Sequence, residues 1–184
     1  MAIDPQMLAQ VLHTPKSHDV TKSPIVNAVI LSEAANAADL VPALEHIQTI
    51  EAYNARRILC LFDTNAVPYL LTELRTAGPT ARKEGLEILW ALLVGEEAWT
   101  VRETLAAVKP DLDTLMDDTH LLPDDMPNYI ERDFYGRICD LAFIVIQQLI
   151  SLDYDQSLFQ SLDENGRNEL IKRLKARGIG QNIV

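Results

Sequence analysis

Apolar residues along the chain recur at three- and four-residue spacings, and β-branched residues never alternate with polar ones over a long run. That periodicity predicts helices rather than strands. A short helix is expected over residues 5–13, followed by the connector "TPKSHDVTKSP". The next helix runs from Pro24, since proline suits a first turn, to about Ala38. Asp39 is placed to cap "LVPALEHIQTIE", whose Leu40, Val41, Leu44, Ile47 and Ile50 share one face. "AYNARRILCLFD" gives a third helix. Asn65 caps "AVPYLLTELRTAG", which Gly78 stops and Pro79 keeps from continuing. Thr80 opens "ARKEGLEILWALLVGE", and Gly95 closes it. "EEAWTVRETLAAV" and "PDLDTLMDD" follow, the second started at Pro110. Residues 117–128 read as a loop, 129–151 as the longest helix, and 155–177 as a last helix broken near "DENG". Three regions result: an N-terminal helix and connector over 1–24, a helical domain over 25–151, and a capping helix and tail over 152–184.

The helix over 81–94 is apolar on nearly every side, so other helices must cover it. Pro68 and Pro110 each sit in a first helical turn followed by leucines, and they lie 42 residues apart. Each is followed by a helix with a polar, arginine-bearing start and an apolar end, "ARKEGLEILWALL" and "IERDFYGRICDLAFIVI". Leu86, Leu89 and Leu92 in the first correspond to Ile138, Leu141 and Ile144 in the second. "LVPALEHI" around Pro42 has the same opening, 26 residues before Pro68. Paired helices with a period of about 40 residues characterise helical solenoids. The stretch 40–151 therefore resembles HEAT or armadillo repeats. The resemblance implies an all-α, right-handed solenoid of about seven to nine helices, in which proline-started outer helices pack on more apolar inner ones.

Composition agrees with the helical reading. The 184 residues are 48% hydrophobic with only seven glycines, enough apolar surface for a core. The net charge is −11. A phosphate backbone attracts basic surfaces, so nucleic acid is not an expected partner. Cys60 and Cys139 sit among apolar neighbours and are expected as buried free thiols. Trp99 is expected either to pack in the core on Ala91 or Leu105 or, if exposed, to anchor an interface, the core being favoured. The start of the sequence has no basic flank followed by a long apolar run, and no apolar run reaches membrane-spanning length. A cytoplasmic protein without a membrane partner is the expectation.

Motifs for chemistry are missing from the sequence. His13, His18, His46 and His120 form no His-Glu-x-x-His or i, i+4 pair. His120 has Asp117, Asp118, Asp124 and Asp125 near it in sequence, but carboxylates in a loop are ordinarily solvated, and no metal site is assigned. No phosphate-cradling glycine loop or Gly-x-Ser-x-Gly turn occurs, so no catalytic residue and no cofactor are assigned. Some DNA glycosylases and bilin lyases are built on HEAT-like scaffolds, but no residue pattern here matches either activity. Fold likeness alone is a poor warrant for an enzyme.

One segment stands out by charge. Residues 111–133 hold Asp111, Asp113, Asp117, Asp118, Asp124, Asp125, Glu131 and Asp133 against Arg132 alone, a net −7 over 23 residues. Leu121, Leu122, Met126 and Tyr129 lie among them. Acids around a few large apolar anchors suit a basic protein partner, whereas a plain solvated loop would need no partner. The partner-binding set is therefore Asp111, Asp113, Asp117, Asp118, Asp124, Asp125, Tyr129, Glu131 and Asp133. Helical repeats commonly bind proteins or peptides, so the expected function is non-enzymatic protein binding. In type, a short acidic chain of this kind looks like a bacterial immunity protein, which neutralises a toxin such as a basic nuclease. The alternative is an adaptor subunit that grips a helix or peptide.

Overall fold

The computed structural model describes residues 4–32, 34–46, 48–122, 136–151 and 154–177. It is all-helical among them, apart from one isolated antiparallel bridge between Leu121 and Arg137. The chain divides into two compact units, Met1–Leu92 and Leu93–Val184.

In the first unit, α1 (Pro5–Leu12) starts at Asp4, whose carboxylate accepts the Gln6 N–H at 2.9 Å. Its last carbonyls are taken up by Asn54, whose Nδ2 donates to Leu12 O and Thr14 O, both at 2.8 Å. α2 spans Pro24–Ser32. The expected helix over "LVPALEHIQTIE" does not form in that shape. A 3-10 helix runs over Ala34–Glu45 with Pro42 inside it, and α3 (Ile50–Leu59) starts later, capped by Thr49. Such a long 3-10 run is uncommon. Proline contributes no N–H to the helix, and the tighter winding still buries Leu40, Val41 and Leu44 against α3 and α4.

The turn at 64–66, started by Asp63, leads into α4 (Val67–Leu74), with Pro68 in its first turn. α5 (Pro79–Leu93) is the longest described helix, at 15 residues. Gly95, with φ +97°, ends it in the left-handed conformation that favours glycine. The α4–α5 pair is tight. A Cβ on Gly85 would meet Leu74 Cδ1 at 2.3 Å, so only glycine admits this approach. Arg82 closes the same corner by donating Nε to Leu74 O and Nη2 to Arg75 O. Leu86, Ile88, Leu89 and Leu93 are buried, which is the covering that α5 requires. Cys60, expected to be buried, is exposed just past the end of α3. The helix stops one residue before it, so Cys60 leaves the apolar face shared by Ile58 and Leu59.

The second unit is organised on α8 (Ile138–Ile150), which α6 (Ala98–Ala107), α7 (Lys109–Leu115) and α10 (Glu164–Arg177) all contact. α8 is almost wholly buried. Its Phe143 stacks on Phe159 of α9 (Gln156–Gln160) at 4.6 Å between ring centroids. The break before α10 falls at Ser161–Asp163, next to the "DENG" stretch. α8 begins at Ile138 rather than Tyr129, because Ile138 N–H is drawn into pairing with His120 O at 2.9 Å. Trp99 is 64% exposed, not packed in the core. Val101 and Leu105 form the buried side of α6, and Trp99 lies off that side.

Candidate functional site

The acidic segment begins in α7. Asp111 lies in its first turn, where a carboxylate is favoured by the helix dipole. Asp113, two residues on, accepts from Lys109 at 2.5 Å. Beyond the helix, Asp117 projects toward α10 and holds Lys175 Nζ at 2.5 Å; Lys175 also reaches Asp113 O at 3.3 Å. Asp118 is turned inward and only 6% exposed. Its carboxylate accepts the His120 N–H at 3.0 Å and lies 2.6 Å from His120 Nδ1. Asp117 and Asp118 are thus adjacent in sequence but opposite in role.

Leu122 and Gly136 are the described residues on either side of 123–135. Leu122 N–H donates to Gly136 O at 2.9 Å, Ile138 N–H to His120 O at 2.9 Å, and Cys139 N–H to Asp118 O at 2.8 Å. Those three bonds fasten the two ends together. Asp124, Asp125, Tyr129, Glu131 and Asp133, the rest of the predicted partner-binding set, lie outside the described residues.

Arg137 locks the returning end. It donates Nε and Nη2 to the two oxygens of Asp140, at 3.1 and 2.8 Å, a fork-on-fork pair. Nη1 reaches Glu164 Oε1 at 2.9 Å, and Nη2 reaches Asn168 Oδ1 at 2.8 Å. The hydrogen bonds it donates to Asp140 hold the guanidinium above its ordinary pKa, against the opposing effect of burial. Asp140 also accepts Arg137 N–H at 3.1 Å and lies 3.5 Å from Arg167 Nη1. Burial pushes the neighbouring Cys139 thiol up to about 11, so it stays protonated at neutral pH and is a poor nucleophile.

A cavity of about 380 Å³ opens between the end of α7, the start of α8 and α10. Met116, Cys139 and Ile171 give it apolar walls, and Asp117, Glu164 and Lys172 carry charge at its edge. Among the described residues, no three histidine, cysteine or acidic side chains are grouped to hold a metal ion. No single described helix is long and apolar enough to cross a membrane.

The first unit holds a second ionic cluster. Lys83 is 1% exposed, and its Nζ lies 3.0 Å from Glu87 Oε1 and 3.3 Å from Glu84 Oε1. Arg56 of α3 takes the other oxygens, bonding Glu84 Oε2 and reaching Glu87 Oε2 at 2.9 Å. Burial pulls the Arg56 guanidinium down, but the two carboxylates outweigh it and hold its pKa above the ordinary value.

Sequence reasoning missed both Arg137 and this cluster. "ARKEG" reads as the solvated start of a helix, and only the i, i+4 pair Lys83–Glu87 hints otherwise. For Arg137 the hint was Asp140, three residues on. No protein family, curated protein or solved structure matches the chain.

Proposed function

We propose that this chain is a non-enzymatic protein-binding module that engages a basic partner through the acidic segment 111–133. The observation that carries the reading is the concentration of charge: a net −7 out of −11 falls within these 23 residues. The bond joining Leu122 to Gly136 supports it, since it holds together the two described ends of the segment that carries those acids. Asp113, Asp117 and Asp118 already have internal partners. The proposed contact therefore falls chiefly to Asp124, Asp125, Glu131 and Asp133, with Tyr129 as an apolar anchor. The concrete form of the proposal is a bacterial immunity protein, acting in the cytoplasm, whose acids cover the basic cleft of a toxin. Complementary charge speeds such encounters and excludes wrong partners.

We also read the architecture as a short right-handed helical-repeat solenoid of the HEAT or armadillo kind. The prolines in the first turns of α4 and α7 support that reading. Pro42, inside a 3-10 helix, leaves the first repeat irregular.

The test is capture of partners from the native cell by the tagged chain, at low and at high salt. One stoichiometric basic protein released by salt is the expected result, because exposed charge pairs are screened. Changing Asp124, Asp125, Glu131 and Asp133 to their amides should abolish the capture, and co-expression should rescue cells from the captured protein. A complex of several subunits that survives salt would instead establish the adaptor reading. The exposure of Trp99 favours that second reading, since an unburied tryptophan is a common interface anchor.

A further inference from the structure

We infer that the cavity between α7, the start of α8 and α10 is the receptacle for one arginine or lysine side chain of the partner. The inference rests on the reading of a basic partner and adds where its cation is seated. The cavity, about 380 Å³, lies in the range of small-ligand sites, on the order of 300–1,000 Å³. Its shape suits a long side chain with an apolar stem. Met116 and Ile171 are buried apolar residues that line it, and Cys139, also in the lining, stays an uncharged thiol.

Charge decides what the head group must be. Basic side chains line the cavity too, but the inner ones are engaged. Arg137 has all three guanidinium nitrogens bonded, to Asp140, Glu164 and Asn168. Lys175 is held by Asp117 Oδ1 and Asp113 O. Lys172 is an exposed surface lysine, 3.8 Å from Glu169. The acids at the edge are in the opposite condition. Asp117 is 71% exposed and Glu164 73%, and each gives a single oxygen to its ion pair, Asp117 Oδ1 and Glu164 Oε1. Among the described residues, no donor takes the second oxygen of either. A guanidinium or ammonium can add to both of these pairs without breaking them, whereas an anion would meet a comparably open partner in Lys172 alone among the lining cations. The net charge of −11 acts in the same direction.

The test uses the full isotope-labelled chain and two blocked peptides at millimolar concentration, tetra-arginine and tetra-glutamate, followed by amide chemical shifts. Tetra-arginine should move Met116, Thr119, Asn168 and Ile171 in a saturable way. Asp117→Asn with Glu164→Gln should weaken that binding by about tenfold or more. Thr119→Trp, at an exposed position on the cavity wall, should block it by filling the mouth while leaving the core intact. Should the cavity resonances stay fixed while others in 111–133 move, the receptacle is overturned and the basic-partner reading stands. A tetra-arginine peptide that moves nothing overturns both. Saturable movement of the cavity resonances by tetra-glutamate would show an anion site and overturn the receptacle.

Discussion

Lys83 and Arg56 hold the same two carboxylates: each cation takes one oxygen of Glu84 and one of Glu87, so the four side chains form a closed ring of alternating charge. Lys83 and both acids are buried, and Arg56 is partly so. A buried ion pair gains little over a well-packed apolar replacement, but removing one partner strands a charge. Lys83→Met should therefore cost about 3–5 kcal/mol in urea unfolding. Adding Glu87→Leu should recover much of that loss, and a double-mutant cycle would give the coupling. Additive losses would show that the ring does not act as a unit.

Gly85→Ala should destabilise the fold although alanine is the better helix former by about 1 kcal/mol. The new methyl would lie 2.3–2.5 Å from the two δ-carbons of Leu74 and 2.9 Å from its branching γ-carbon, and Leu74 is fully buried. Overpacking of this kind costs about 1–3 kcal/mol. Leu74→Ala in the same chain should make Gly85→Ala nearly neutral or stabilising, read from shifts in the urea midpoint.

The two thiols should differ in reactivity. Cys60 is exposed and Cys139 buried. A disulfide-exchange reagent should modify one thiol per native chain quickly, and both in denaturant. Burial raises Cys139 from 9.0 to about 11, which favours the protonated form in the folded state. That stability is fully present below pH 9 and is lost as pH rises through about 11, an amount of roughly 2–3 kcal/mol. Tyr154, raised to about 12 chiefly by burial, extends the loss upward. Unfolding free energy measured from pH 8 to 11 should fall less in Cys139→Ala than in the parent chain.

Trp99→Ala should change stability by less than about 0.5 kcal/mol, as expected of an exposed site. The fluorescence lost with it should be the water-exposed, acrylamide-quenchable part, leaving the more sheltered Trp90. If capture of a partner also fails in this variant while the amide variants of the acidic segment still bind, the adaptor reading prevails.

The helical class and several boundaries were legible because local chemistry sets them. Pro68, the Gly78–Pro79 step, Gly95 and Pro110 each act on their own backbone, and the described helices start or stop beside them. The stretch around Pro42 was misread because Leu40, Val41 and Leu44 present a buried face in either an α- or a 3-10 helix. The start of α8 was misplaced because His120, 18 residues away, supplies the acceptor for Ile138 N–H. Charge gave the acidic segment but not its internal sorting. Whether an aspartate faces solvent, as Asp117 does, or a buried turn, as Asp118 does, depends on Lys175 and on the chain's return at Gly136. Nothing in the neighbouring sequence encodes either.

The pairing of Leu122 with Gly136 has an evolutionary corollary. The three bonds that join residues 118–122 to 136–139 run between main-chain atoms, so the joint does not depend on the exposed side chains of Thr119 and Leu121. A lineage could therefore vary those two positions and inherit the joint unchanged.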